Sequence, residues 1–197
     1  MVDFGGFTAE VFSGVAVAVS GYNFWHTSLR QAVLRAFVPP VMRYASPYQN
    51  SIFEVFEVPV TIVNEGARTG TVLSLNLQVT NAKGISKHFY SAGLGSWSMG
   101  KVRGEGLAPF TPISLPGRTS QSEVILFYAR EDSTVSQVAE EEGRYRFAVS
   151  MLTAQGQESQ PLEFEMKLPY MDHRAFTSGS GTLPLHQPEW HAISSKA

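Results

Sequence analysis

The chain has 197 residues, a formal net charge of −2, 43% hydrophobic and 16% charged residues, and no cysteine. That length suits one globular domain with appendages, and the low charged fraction suits a chain of which part avoids water. Without a basic stripe there is no electrostatic case for a nucleic-acid partner, and without cysteine there is no disulfide, thiolate metal site or cysteine nucleophile.

From Val11 to Leu29 the chain carries no Asp, Glu, Lys or Arg. About 20 such residues rising 1.5 Å each match a hydrocarbon core of about 30 Å, so the segment predicts a single N-terminal transmembrane helix in contact with the lipid bilayer. Tyr22, Phe24 and Trp25 gather just before Arg30, as an interfacial aromatic belt would. Gly14 with Ala18, and Ala16 with Ser20, are small residues at four-residue spacing that let a neighbouring helix approach closely. Gly14, Ala18 and Trp25 are therefore candidate partner-binding residues. Asp3 and Glu10, with no Lys or Arg among the first ten residues, argue against a cleavable signal peptide. Arg30, Arg35 and Arg43 follow the apolar run and predict a cytoplasmic body with the N-terminus outside, in a bacterial inner or intracytoplasmic membrane. Pro39-Pro40 stops the helix, and Val33, Leu34, Phe37 and Val38 give its last turns an apolar face along the membrane surface. Residues 1–45 form the anchor and juxtamembrane segment.

After Ser46-Pro47-Tyr48-Gln49-Asn50 the period switches to two: Phe56, Val58, Val60 and Ile62 alternate with Glu57, Pro59 and Thr61. Asn64-Glu65-Gly66 is turn chemistry, and a second strand runs from Val72 to Val79 and ends at Asn81. Further strands are predicted over 87–92, 110–115, 122–129, 144–153 and 162–168, with Pro116-Gly117 as a tight turn. Short strands, Gly/Pro punctuation and no intervening helix predict a mainly β chain whose residues 46–169 form an antiparallel sandwich.

The segment from Phe56 to Gly66, the turn Leu115-Pro116-Gly117 and the run Gly143-Arg144-Tyr145-Arg146-Phe147 resemble bacterial immunoglobulin-like modules of the adhesion type over about residues 52–169. Gly143 with Tyr145 is similar to a tyrosine corner, the alternative being a half-buried strand aromatic. The cysteine pair and strand-C Trp of antibody domains are missing. The whole chain resembles bacterial proteins with an N-terminal anchor and one such sandwich, a resemblance that implies no chemistry.

None of His26, His88, His173, His186 and His191 forms a helical ligand pair, so no metal site is predicted. His26, beside Trp25, could offer one axial ligand to a haem or chlorophyll-type pigment, the alternative being an interfacial His bonded to a neighbour. Gly93 to Gly100 lacks the Lys-Ser/Thr of a phosphate loop and reads as a sandwich loop. Asp132 and Glu140-Glu141-Glu142 read as solvated loop acids, and no Gly-x-Ser-x-Gly elbow occurs. No enzyme and no cofactor are expected.

Residues 170–197 show no periodicity and read as an extended tail, in which Tyr170, Phe176 and Trp190 are candidate anchors in a partner's pocket. Anchor, sandwich and tail together predict a non-catalytic accessory subunit bracing the other subunits of a membrane complex, a photosynthetic reaction-centre antenna complex being one instance. The alternative is a membrane-tethered ligand-binding or sensor module using the 93–100 edge.

Overall fold

Alternation of apolar and polar side chains governs the middle of this chain, because a pleated strand sends successive residues to opposite faces. The computed structural model describes residues 4–38, 41–45, 54–95, 106–129, 138, 142–156, 158–168 and 183–186. Helix α1 spans Phe4–Phe24 and ends in one π-helical turn, Trp25–Leu29. The strands are β1 (Leu34–Phe37), β2 (Val41–Ala45), β3 (Val55–Asn64), β4 (Gly70–Thr80), β5 (Ser86–Gly95), β6 (Gly106–Pro109), β7 (Ile113–Leu115), β8 (Ser120–Ala129), β9 (Gly143–Thr153), β10 (Leu162–Leu168) and β11 (Leu183–His186). The strands expected around Phe56, Leu75, His88, Ile125, Phe147 and Phe164 are all present.

All eleven strands belong to one antiparallel sheet ordered β10-β9-β4-β5-β8-β3-β2-β11, with β1 on β3, β6 on β5 and β7 on β4. The expected mainly β, antiparallel architecture is thus present, but its hydrogen bonding runs through one nearly closed, barrel-like sheet rather than through two separate sheets. Strands achieve this by changing partners along their length. β4 bonds β5 through Asn76–Thr80 and β7 through Gly70–Val72, while β5 bonds β6 through Gly93–Gly95. Curling brings β3 against β9, far from it in the order, over one aromatic core. Phe56 of β3 meets Phe147 of β9 edge-on at 5.8 Å and Phe89 of β5 at 5.0 Å, and Phe147 stacks on Phe164 of β10 at 5.2 Å. Tyr145 is buried in this core, so the half-buried alternative for it does not hold.

Four expectations are corrected. Among the described residues no helix is long and apolar enough to cross a membrane. From Val11 to Phe24 the helix rises only about 21 Å before the π-turn brings in His26, Thr27 and Ser28, against a hydrocarbon thickness of about 30 Å. Secondly, the juxtamembrane segment is not an apolar helix end: Leu34–Phe37 and Val41–Ala45 are strands on the two halves of one edge of β3, and Val38 is buried in the core. That edge carries N–H and C=O groups that a helix would have left unpaired. Thirdly, the tail is not wholly separate from the body, since Leu183–His186 pairs with β2 in the register Leu183↔Tyr44 to His186↔Val41. Lastly, Gly93–Gly95 is strand rather than loop, because a missing side chain admits close neighbours: a Cβ on Gly93 would lie 3.2 Å from the Ala108 carbonyl oxygen.

Candidate functional site: the helix and its root

Every residue from Val11 to Trp25 is exposed, with Phe12 at 74% and Val17 at 72% of full accessibility. Val15, Val19, Tyr22 and Phe24 are exposed with them, so apolar groups surround the helix instead of lining one face. A helix hydrophobic on all sides belongs inside other matter, either protein or lipid. Gly14 and Ala18, the small residues singled out by spacing, stand in the open, and nothing lies within 4 Å of a Cβ built on Gly14. Trp25 is half exposed at the start of the π-turn.

The root of this exposed helix is tightly held. The π-turn closes through the Arg30 N–H to the Trp25 carbonyl at 2.9 Å, and Thr27 Oγ1 donates back to the Asn23 carbonyl at 2.7 Å. The chain then runs extended against the β3–β4 turn: Ala67 and Arg68 donate to the Arg30 carbonyl at 3.0 and 3.1 Å, and Glu65 donates to the Val33 carbonyl at 2.9 Å. At the centre stands the fully buried Asn64. Its Oδ1 accepts from the Val33 and Gly66 N–H groups at 3.3 and 3.0 Å, while its Nδ2 donates to the carbonyls of Arg68, Leu115 and Pro116 at 2.8 to 3.2 Å. One side chain therefore ties helix root, β3–β4 turn and β7–β8 turn together. Glycine is required at two contacts, since a Cβ on Gly66 would lie 2.0 Å from the Gln31 carbonyl oxygen and one on Gly117 2.0 Å from that of Ala67.

Arg118 completes the junction from the β7–β8 turn with a left-handed backbone, φ 58°. Its guanidinium donates to the His26 carbonyl at 2.9 Å and lies 3.1 Å from His26 Nδ1. Arginine only donates, so Nδ1 is the acceptor in this contact. Tyr22 stacks on the same ring at 5.9 Å. His26 is thus hydrogen-bonded into the junction through its carbonyl and Nδ1. Tyr170, Phe176 and Trp190 lie outside the described residues.

A second polar cluster is buried at the other end of β3. Glu54 and Lys87 form an ion pair with side chains 1% and 5% exposed. Tyr44 Oη and the Val138 N–H donate to Glu54 Oε1 at 2.7 and 2.8 Å, and Lys87 Nζ sits 5.9 Å over the Phe89 ring. With both carboxylate oxygens occupied, the cluster ties β2, β3 and β5 to the segment around Val138. Nearby, Arg43 and Glu57 face each other across β2 and β3 at 3.8 Å. Burial pushes the Tyr128 phenol above its ordinary value, and the charges of Glu57 and Tyr90 push the same way. Beside the helix root lies a cavity of about 380 Å³ between Ala32–Leu34, Thr69–Thr71 and the β9–β10 turn. Among the described residues no group of three His, Cys, Asp or Glu could hold a metal.

The sequence signals for the junction were two turns read separately, Asn64-Glu65-Gly66 and Pro116-Gly117. Nothing in their spacing showed that they meet, nor that Arg118 reaches His26.

No family model matches the chain, and no curated protein matches it. Solved structures similar to it include a protein titled ApaA from Bordetella pertussis, 16% identical, covering 81% of this chain and 98% of its own with a TM-score of 0.28. Another structural-genomics target is 14% identical and covers 83% of this chain and 94% of its own, with a TM-score of 0.27. Likenesses of that size carry no weight for architecture or function.

Proposed function

We propose that this chain is a non-catalytic accessory subunit of a bacterial membrane assembly, in which α1 lies among partner helices and the β body, of immunoglobulin-like type, braces neighbouring subunits. The observation that carries this reading is the contrast within α1: apolar groups exposed all round from Val11 to Trp25, on a root fixed by Asn64 and Arg118. Each fully buried Val or Phe side chain is worth roughly 1.5–3 kcal/mol, so a covered α1 gains far more than an isolated one. Partner helices suit it better than lipid alone, because its charge-free portion is short for a bilayer and Gly14 and Ala18 admit close helix contact.

Purification in a gentle detergent tests the proposal. A stoichiometric complex is expected to co-purify, and Val17→Asp is expected to release the chain from it while the body's melting temperature stays unchanged. Recovery of a lone monomer from native membranes, or a complex indifferent to Val17→Asp, would overturn it. A second reading, a tethered ligand-binding module, is favoured by the cavity beside the helix root, where a ligand would touch Ala32 to Leu34 and so bear directly on α1.

A further inference from the structure

The outer face of β5, β4, β9 and β10 is a shallow groove of about 700 Å³, within the range of small-molecule sites. Its shape follows from register. Gln78 of β4 lies opposite both His88 of β5 and Ala148 of β9, and Ala148 lies opposite Glu163 of β10. The small Ala148 is the floor, and longer side chains rise on either side. In the next row Asn76 lies opposite Tyr90 and Ser150, and Ser150 Oγ donates to Glu158 Oε1 at 2.8 Å. Asn76, Gln78 and Ser150 alternate with the buried Leu75, Leu77 and Val149 and so point away from the core, yet they are only partly exposed.

The lining selects a chemistry. Asn76, Gln78 and His88 make no side-chain hydrogen bond among the described residues. Each amide offers a donor and an acceptor in one plane, which suits a vicinal diol whose hydroxyls each donate and accept. Glu158 and Glu163 disfavour phosphates and carboxylates by like charge. A metal ion is not served, because these acids and His88 do not converge as a ligand set. A peptide added as a strand is not served either, since β4 and β9 already bond neighbours on both edges beneath the groove. Tyr90, 42% exposed, lies opposite Asn76 just outside the groove's lining and presents a ring against which the apolar face of a sugar extending past the groove can rest.

We infer that this groove binds a neutral, hydroxyl-rich ligand, a short saccharide chain, held by Asn76 and Gln78 with His88 on one side and Tyr90 just beyond the lining. The site is independent of the helix and its partners. Full-length protein in detergent is titrated with maltohexaose, cellohexaose and chitohexaose by saturation-transfer NMR and calorimetry, and separately mixed with vesicles containing a digalactosyl lipid. Saturable binding in one arm is expected. Asn76→Ala combined with Gln78→Ala is expected to weaken it about tenfold or more with the melting temperature unchanged, as these side chains lie outside the core. Binding of a free hexaose identifies a soluble glycan, whereas recruitment to the glycolipid vesicles alone identifies a lipid headgroup, and either supports the site. Silence in every arm, or binding that the double variant leaves intact, overturns it.

Discussion

The β body and α1 solve the same problem in opposite ways. In the body, Phe56, Phe89, Phe147 and Phe164 come from four strands and cover one another. In α1, Phe12, Val15 and Val17 come from one element and stand exposed. The difference lies in the period of the pattern. Alternation at two gives a strand one face to hide and another for water, whereas an apolar run with no polar face leaves a helix no side suited to solvent. Substitutions in the body should therefore register as stability, and those in α1 as assembly.

The largest effect is expected at the buried ion pair. Lys87→Met leaves the Glu54 carboxylate buried without its cation and should cost about 3–5 kcal/mol in urea unfolding, while pairing it with Glu54→Leu should recover much of the loss. Equal losses in the single and double variants would show that the pair does not act as a unit. Next comes the junction. Asn64→Ala strands the Val33 and Gly66 N–H groups and three carbonyls, with an expected cost of about 3 kcal/mol and faster amide exchange at 30–33. Unchanged exchange there would separate Asn64 from the helix root. Arg118→Ala should cost about 1 kcal/mol or less, because the side chain is exposed, yet it should free the 25–29 turn and weaken retention in a complex. Full retention would break the link between a fixed root and assembly. The smallest effect concerns pH. The folded state holds the Tyr128 proton above the ordinary 10.0, so its contribution is complete below pH 10 and is lost as pH rises beyond it. Tyr128→Phe should flatten that alkaline decline, which unfolding at successive pH values would measure.

Much of this division was legible in the sequence. Strands β3, β4, β8, β9 and β10 follow from alternation, and the helix follows from Val15 to Val19 without a charge. β1 was obscured because Val33 with Phe37, and Leu34 with Val38, also satisfy helical spacing, and pairing with β3 decided between them. β6 and β11 are four residues each and carry proline, too short for a period to show. Of the site, His26 was visible as a residue but not as Arg118's acceptor, 92 positions away. Asn64 was visible only as a turn former, since burial and five bonds across three segments are tertiary facts that no local pattern records.

The pairing of β2 with β11 also sets an order of events during synthesis. Val41–Ala45 emerges well before its outer partner, Leu183–His186, which follows it by 138 residues. At 5–20 residues per second the interval between them is roughly 7–28 s. Contacts so distant in sequence close slowly even after they are available. Throughout that interval α1 is already complete and already apolar, so whatever receives the helix can engage it while the sheet is still open. A nascent chain delivered by its helix before its body has closed would reach its assembly tethered first and folded second.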